Sequence, residues 1–408
     1  MNVIFLLISL VIVEWYTYVF VKTLMRNKKA VITYLIINFS FIIYVAYFFL
    51  NYDRHTGQTH YSMFLMGVLM FVFFPKLLIT IIFLIQDIFR GIKALWNKIR
   101  RPAQQTQLPG RRKFVTQVAL GLAAIPFFSI LYGMVKGKYN FHVIKQPVYF
   151  DDLPDAFDGF KILQISDLHC GSFDDKEKIA YGIDLINQQD YDLFVFTGDL
   201  VNSVAEEVNP WTEELKKIKT PQFGKYSILG NHDYGEYIKF NSEAEKEANF
   251  AAIKNQHQNI DFNLLLNQNV RIEKNGQQIA LVGVENWGLN FKKAGDLQKA
   301  SEGLSGKDFK VLLSHDPSHW DAEVNTHPNN YHLMLAGHTH GMQFGIEIPD
   351  VVKWSPIQYI YKQWAGLYEK GKRYIYVNRG FGFHAYAGRV GIMPEITVLE
   401  LKKNKKTA

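Results

Sequence analysis

The first third of the chain contains four long apolar runs, which restrict it to folds that bury or embed long hydrophobic helices. The runs cover residues 3–21, 31–50, 63–85 and 114–135. Each is close to the roughly 20 residues that an α-helix needs to cross a bilayer. One such run could be a buried core helix, but four in succession predict a transmembrane region over residues 1–135.

Lysines and arginines in the short loops predict the orientation of these helices, because positively charged loops stay in the cytoplasm. The first loop carries Arg26, Lys28 and Lys29, and the third is rich in basic residues over positions 90–113. The second loop, around residues 51–61, has one aspartate and one arginine that offset each other. We therefore expect a multi-pass protein of the cytoplasmic (inner) membrane whose chain after the fourth helix is extracytoplasmic.

Two charged residues interrupt the apolar runs near mid-membrane. Glu14 lies in the first run and Lys76 in the third. One interpretation is that they pair between the first and third helices, because an unpaired charge at this depth is costly. The alternative is that Glu14 is protonated or hydrated and that Lys76 extends its amine to the interface.

Cysteine content and charge restrict the remaining possibilities. Cys170 is the only cysteine, so no intrachain disulfide forms and the core must hold the fold. The formal net charge is +7, but the basic residues cluster beside the apolar runs and in the tail at 403–408. A nucleic-acid partner would require a basic face on the soluble part of the protein, so none is expected.

After residue 135 short apolar runs alternate with amphipathic ones, which predicts an α/β protein built on a sheet. Residues 136–159 are interpreted as a lead-in segment, residues 160–402 as the folded domain and residues 403–408 as a basic tail.

Polar residues suited to metal binding follow five of the predicted strands. They are Asp167 and His169, then Asp199, then Asn231 with His232 and Asp233, then His315, and finally His338 with His340. Loops at one edge of a sheet are where α/β proteins assemble their sites. We therefore expect these side chains to meet.

Their chemistry suits divalent cations, because carboxylate, imidazole and amide groups bind ions such as Mn, Fe, Co and Zn. In Asp167-x-His169 and in His338-x-His340, residues i and i+2 of an extended segment point the same way, so one loop offers two ligands. Asp199 is the candidate to bridge two cations, and two cations ~3.5–4 Å apart can clamp a phosphate and activate a water. Each motif alone is weak evidence, whereas all five in this order are specific.

The same residues carry a resemblance to a known family. The series Asp167-x-His169, Gly198-Asp199, Gly230-Asn231-His232-Asp233, His315 and Gly337-His338-x-His340 resembles the calcineurin-like metallophosphoesterases, in particular the membrane-tethered members, the transmembrane proteins with a metallophosphoesterase domain. The resemblance covers residues 160–401, and no motif of the family pattern is missing. It implies an α/β fold in which a four-helix transmembrane region precedes a two-sheet α/β/β/α sandwich.

The resemblance also implies two divalent metal ions (Mn, Fe, Zn or Co) held by seven side chains. One ion would be held by Asp167, His169 and His340, the other by Asn231, His315 and His338, and both would share Asp199.

Four further residues receive roles by resemblance. His232 would lie beside the scissile phosphate and assist the leaving oxygen, and Asp233 would orient it by a hydrogen bond. Arg379 or Arg389 would bind a phosphate oxygen as a substrate contact. The competing interpretation of these two arginines is an ordinary surface ion pair.

The expected function is metal-dependent hydrolysis of a phosphodiester or phosphomonoester associated with the membrane or envelope. The substrate would be a phosphorylated small molecule, a lipid or an envelope glycan. One alternative is a pyrophosphate hydrolase similar to the UDP-2,3-diacylglucosamine hydrolases of lipid A synthesis, which requires a cytoplasmic substrate. Another is a non-catalytic membrane scaffold or sensor, which would be expected to lose metal ligands or His232.

Overall fold

A computed structural model describes residues 3–25, 27–100, 111–348 and 351–404 of the chain. Arg26, Arg101 and the tail from residue 405 contribute to the charge interpretation but lie outside these ranges. The chain divides into two compact units, of which the first comprises residues 1–52 and 65–132 and the second residues 53–64 and 133–408.

The first unit is built from four long α-helices. They are α1 (Val3–Leu24), α2 (Lys28–Leu50), α3 (His60–Arg100) and α4 (Arg111–Val135). Among the described residues, α2, α3 and α4 contain segments that are long and apolar enough to cross a membrane. The predicted transmembrane region is therefore supported by three candidate spans, and a membrane crossing by α1 stays a prediction.

Helix α3 extends well beyond the predicted run at 63–85. Past that run, Ile88, Ile92 and Leu95 continue an apolar spacing of three and four residues among charged helix formers, and such a pattern sustains a helix without a fully apolar surface. The apolar run therefore predicted the most apolar part of the helix and not its end.

The two charges in the apolar runs form an ion pair within the first unit. Lys76 Nζ lies 2.8 Å from Glu14 Oε1, and both side chains are mostly buried. Asn38 of α2 joins them, because its amide donates to Glu14 Oε2 at 2.6 Å and its carbonyl oxygen accepts from Lys76. The predicted pairing of Glu14 with Lys76 is confirmed, and Asn38 satisfies the remaining polar atoms of the pair.

Breaking this pair from one side is expected to destabilise the protein. Lys76→Met leaves Glu14 buried without its cation, at an expected loss of about 3 kcal/mol, whereas the double change Glu14→Gln with Lys76→Met should recover most of it. Thermal unfolding of the full-length protein in detergent measures both, with the exposed Lys93→Met on α3 as the matched control. A double variant as unstable as Lys76→Met would contradict the expected cost of leaving Glu14 buried without its cation.

The second unit is built mainly from short β-strands. They are β1 (His142–Phe150), β2 (Lys161–Ile165), β3 (Leu193–Phe196), β4 (Lys225–Ser227), β5 (Asn263–Leu264), β6 (Gln268–Lys274), β7 (Gln277–Gly283), β8 (Lys310–Leu313), β9 (Leu333–Ala336), β10 (Ile346–Ile348), β11 (Val352–Trp354), β12 (Gly366–Lys370), β13 (Arg373–Val377) and β14 (Glu395–Lys403). The α-helices between them are α5 (Lys176–Asn187), α6 (Thr212–Leu215), α7 (Glu243–Asn259), α8 (Leu297–Ala300) and α9 (Ser318–Ala322).

These strands form two six-stranded mixed sheets and one small hairpin. The first sheet has the order β1-β14-β2-β3-β4-β5 and the second the order β12-β13-β9-β8-β7-β6, while β10 pairs with β11. Strands β2 to β5 are mutually parallel, as are β13, β9, β8 and β7. The parallel strands direct the loops after β2, β3, β4, β8 and β9 to carboxyl ends, where α/β proteins build sites.

The two sheets pack face to face through one buried cluster. It joins residues of the first sheet such as Ile162 and Val195 to residues of the second such as Leu281 and Val311. The opposite face of the first sheet packs on α5 and α7, and that of the second on α8 and α9. Strands covered on both faces are continuously apolar, and the arrangement confirms the predicted α/β/β/α sandwich.

Two segments outside the predicted range of 160–402 are part of the second unit. Strand β1 pairs in parallel with β14 from His142 opposite Glu395 to Phe150 opposite Lys403. Residues 53–64, which connect α2 to α3, also belong to this unit, and Met63 is completely buried in its core. We therefore propose that the catalytic domain begins before β1 and includes this loop.

A buried histidine in this unit is expected to make stability depend on pH. His257 of α7 is fully buried beside Phe196, and burial lowers its pKa to about 3. In the unfolded chain the pKa of His257 is near 6.5, so above that pH the free energy of unfolding keeps its full value. It then falls by up to about 1.4 kcal/mol per pH unit towards pH 3, because only the unfolded chain gains the proton.

The expected result is a smaller change in Tm between about pH 7.5 and about pH 5.5 for His257→Gln than for the wild type. The exposed His55→Gln is the control, and an unchanged pH dependence in His257→Gln would contradict the assignment.

Candidate active site

The seven predicted metal ligands lie in one connected cluster at the carboxyl ends of parallel strands. Strands β2, β3 and β4 of the first sheet and β8 and β9 of the second each end just before a segment that contributes to it. Because the two sheets face each other, ligands far apart in the chain meet across the sandwich. The prediction that these side chains come together agrees with the structure.

Asp167, His169 and His340 form the first group. His169 Nε2 lies 3.1 Å from His340 Nε2, which in turn lies 3.2 Å from Asp167 Oδ1. The three residues offer one ligand atom each within 4.8 Å of one another and can hold a metal ion. All three side chains are buried or nearly so.

Asp199, His315 and His338 form the second group, by the same criterion. His315 Nε2 lies 3.1 Å from Asp199 Oδ2. Asn231 joins this group, because its Oδ1 lies 2.7 Å from His338 Nδ1. The predicted amide ligand is therefore beside the second group and not the first.

Asp199 lies between the two groups. Its Oδ2 is 3.1 Å from His315 Nε2 in the second group and 3.6 Å from His169 Nε2 in the first. One carboxylate is therefore within reach of both groups, as required of a bridging ligand.

The backbone that presents these ligands is strained. Five of them adopt left-handed conformations with positive φ, namely Asp167, His169, Asp199, His338 and His340. Non-glycine residues rarely adopt this region, and where they do, the surrounding structure must hold them. The sequence predicted that Asp167 and His169, and likewise His338 and His340, lie in extended segments. The structure differs, because the loops turn sharply to bring both side chains of each pair inward.

One glycine shows how tightly these loops approach one another. A Cβ placed at Gly230 would lie 2.2 Å from Asp199 Oδ1 and 2.6 Å from the Asp199 backbone nitrogen. Only a residue without a side chain allows the loop after β4 to lie directly against the Asp199 carboxylate.

The donor set fits a bound cation. Thr197 O accepts from His315 Nδ1 at 2.7 Å, which places the hydrogen of a neutral ring on Nδ1. The Nε2 of His315 is then a buried acceptor without a hydrogen-bond partner, directed at an anionic oxygen of Asp199. When the ring is neutral, these two facing acceptors repel each other unless a proton or a metal cation lies between them.

The charges of the site lead to the same conclusion. Burial alone would lower the pKa of His315, but the negative charge of Asp199 outweighs it and raises that pKa to about 10. Burial would raise the pKa of Asp199, yet the surrounding histidines, His315 first, hold it well below its ordinary value. The cluster therefore favours positive charge beside Asp199.

His232 lies beside this cluster and is held by three contacts. Asn202 O accepts from its Nδ1 at 2.8 Å, which leaves Nε2 as the ring atom available for other contacts. Its ring stacks on Tyr237 with 4.0 Å between centroids, and its edge meets His384 at 4.5 Å. The ring of His169 is 4.9 Å away.

The orientation of His232 differs from the prediction, in which Asp233 holds it. The Asp233 carboxylate instead accepts hydrogen bonds from the backbone N–H groups of Asp199, Leu200, Val201 and Gly230. The side chain turns away from His232 because it is the acceptor that ties together the loops after β3 and β4. Asp233 therefore supports Asp199 rather than His232.

The two predicted substrate-binding arginines have other partners. Arg379 pairs with Glu347 and with Glu395. Arg389 is completely buried, donates to the carbonyl oxygens of Gly380 and Gly382, and lies 3.2 Å from His340 Nδ1. Neither is a surface ion pair, and their predicted phosphate contacts stay predictions that this arrangement does not favour.

Sequence reasoning missed the residues that orient the ligands and His232. Asn202 Oδ1 lies 3.1 Å from His169 Nδ1, Tyr361 hydroxyl 2.8 Å from His338 Nε2, and Tyr237 hydroxyl 2.6 Å from the Asn231 amide. Single polar residues in loops carry no spacing signal. His384 is not among the predicted site residues, and the structure places its ring 4.7 Å from that of His169.

Comparison with known proteins identifies the family. The family model of the calcineurin-like phosphoesterases matches residues 160–342, and a second one, described as "Probable Calcineurin-like phosphoesterase, transmembrane domain", matches residues 1–138. The uncharacterized metallophosphoesterase YkuE of Bacillus subtilis is 32% identical over 64% of this chain and 84% of its own length.

Other similar proteins are more distant. The transmembrane protein with metallophosphoesterase domain of Danio rerio is 26% identical over 71% of this chain, which spans 63% of that protein's length. The solved structure of the Haemophilus influenzae NAD nucleotidase aligns with 13% identity and a TM-score of 0.35, over 55% of this chain and 45% of that one. On the matched domains and the identity with YkuE, the chain belongs to the calcineurin-like metallophosphoesterase family and carries an N-terminal transmembrane region.

Proposed function

We propose that this protein is a membrane-anchored phosphoester hydrolase that uses two divalent cations. The observation that supports this most directly is the position of Asp199, whose Oδ2 is within 3.6 Å of imidazole nitrogens in both ligand groups. A carboxylate shared in this way is the bridging element of two-metal sites. When bound, the two cations would polarise a phosphoryl oxygen and lower the pKa of the attacking water.

The chain's own residues would divide into two sets of ligands around this carboxylate. We assign Asp167, His169 and His340 to one cation and Asn231, His315 and His338 to the other. Hydrogen bonds to Thr197 O and Asn202 Oδ1 orient His315 and His169. Such contacts set the ring orientation and raise the basicity of a ligating histidine.

We assign His232 the role of binding the reacting phosphate and protonating the leaving oxygen. Its Nδ1 is anchored on a backbone carbonyl and its ring stacks on Tyr237, so Nε2 has a defined position. We assign Nε2 to the phosphate, although His232, His169 and His384 also form a group that could hold a metal ion. A positioned acid of this kind typically contributes 10²–10⁴-fold to the rate.

The transmembrane region suggests that the substrate is a phosphate ester of the membrane or envelope. Residues 53–64 and residues 133–408 form one compact unit, so they share one side of any membrane crossed by α3 and α4. This supports the predicted topology, in which the second loop and the catalytic domain are both extracytoplasmic.

Topology reporters provide a direct test of this placement. A phosphatase reporter fused after Lys403 is expected to be active, and so is one inserted at Asp53, whereas a fusion at Lys28 is expected to be inactive. A cytoplasmic reporter should show the reverse pattern. Cytoplasmic activity after Lys403 would overturn the proposed location.

The activity itself is tested on the full-length protein in detergent, because the second unit includes the loop before α3. Hydrolysis of aryl phosphomonoesters and phosphodiesters is measured with added Mn²⁺, with Zn²⁺ and after chelation. We expect activity that is lost on chelation and restored by metal. A folded, metal-loaded protein without activity on any phosphate ester would contradict the proposal.

A further inference from the structure

The loop that joins α2 to α3 packs against the segments that surround His232. It belongs to the same compact unit as the phosphoesterase domain. Arg54 O accepts a hydrogen bond from the backbone N–H of Lys239, and Met63 O accepts one from Ala387 at 3.3 Å. The loop is therefore tied at both ends to the domain, once on each side of Gly57 and Gln58.

Gly57 packs on two of the surrounding segments. It is buried with φ of +63°, and a Cβ there would lie 2.4 Å from Ile238 Cγ2 and 3.8 Å from Ser203 Oγ. Ile238 follows Tyr237, which stacks on His232. Ser203 follows Asn202, whose carbonyl oxygen accepts from His232 Nδ1.

Gln58 packs on the third segment. Its Oε1 accepts a hydrogen bond from the backbone N–H of Ala385 at 3.3 Å, directly after His384. Its Nε2 is buried without a hydrogen-bond partner among the described residues. A buried unsatisfied donor is destabilising, and a loop that merely connected two helices would gain nothing from keeping it.

The three contacted segments are the ones that hold His232. One anchors Nδ1 through Asn202, one stacks on the ring through Tyr237, and one meets its edge through His384. The loop contacts all three of these segments. A shift of the loop would therefore be transmitted to the imidazole, and also to His169 and Asn231, which Asn202 and Tyr237 contact.

We propose that the loop between α2 and α3 sets the positions of His232 and His384, and that Gln58 is its positioning residue. The proposal rests on the role proposed for His232 at the leaving oxygen. A loop between two helices of the transmembrane region would thereby affect the rate of the step in which the leaving group departs.

The test compares Gln58→Ala with Gln298→Ala, an exposed glutamine of α8, in the full-length protein. Substrates are aryl phosphates that differ in the pKa of the leaving phenol. We expect Gln58→Ala to lower kcat about 10-fold with 4-nitrophenol as the leaving group and about 100-fold with phenol. Bound metal should be unchanged, and the loss should disappear in a His232→Gln background, where there is no imidazole to position.

A second readout does not depend on activity. Hydrogen–deuterium exchange in Gln58→Ala should become faster in residues 202–204 and 384–387, and it should be unchanged in Gln298→Ala. Unchanged exchange overturns the proposal, as does a loss of kcat that is equal for all leaving groups or that adds to that of His232→Gln. If the wild type hydrolyses no phosphate ester, the proposed function fails and exchange alone decides the loop's role.

Discussion

Replacing Asp199 by asparagine is expected to lower kcat by about 1000-fold, the largest effect of any single substitution in this protein. The change keeps the size of the side chain but removes the charge that both ligand groups share. Oδ1 can still accept from the His232 backbone N–H, a bond of 2.9 Å in the structure. The loss would therefore report on metal bridging and not on a collapsed loop.

Metal content distinguishes a loss of metal bridging from a collapse of the loop. Asp199→Asn should bind fewer cations per protein than the wild type by elemental analysis, while its unfolding temperature without added metal stays close to the wild-type value. The matched control is Asp184→Asn, an exposed aspartate of α5. Full activity and unchanged metal content in Asp199→Asn would exclude a bridging role for this residue.

Replacing His232 by glutamine is expected to reduce kcat by about 100-fold or more without loss of metal. The side chain is not one of the seven ligands assigned to the cations, although His232, His169 and His384 also form a group that could hold a metal ion. We therefore expect the two cations to remain. The missing imidazole should matter most when the leaving oxygen needs a proton, so the loss should grow as the leaving phenol becomes less acidic.

His142→Gln provides the control, because this histidine is exposed on β1. A fall in metal content in His232→Gln would instead assign His232 to the ligands. A loss that is independent of the leaving group would remove its role as an acid and leave only substrate binding.

Much of the architecture could be predicted because its signals are local. Short apolar runs predicted the strands of the sheet protein, and one such run forms β3 (Leu193–Phe196), whose residues are all buried. The residue types that follow each strand indicated a metal site, because few side chains bind divalent cations. The positions of Glu14 and Lys76 within apolar runs predicted an ion pair, because an unpaired charge inside a membrane is costly.

The predictions that differed from the structure concern the partners of individual side chains. These partners depend on how the loops lie once the backbone has folded. Asp233 was expected to hold His232, but four backbone N–H groups reach its carboxylate once the loops after β3 and β4 meet. Arg379 or Arg389 was expected at a phosphate, but the buried Glu395 and backbone carbonyl groups accept hydrogen bonds from them. No spacing in the chain encodes such contacts.

By itself, the sequence determined the α/β class, the apolar helices and the chemical identity of the metal ligands. These follow from side-chain type and from periodicity, which act over a few residues. Only the tertiary structure decided that Asn202 and Tyr237 hold His232 and that residues 53–64 are part of the second unit. Those contacts join residues up to several hundred positions apart, and their geometry exists only once the two sheets have packed together.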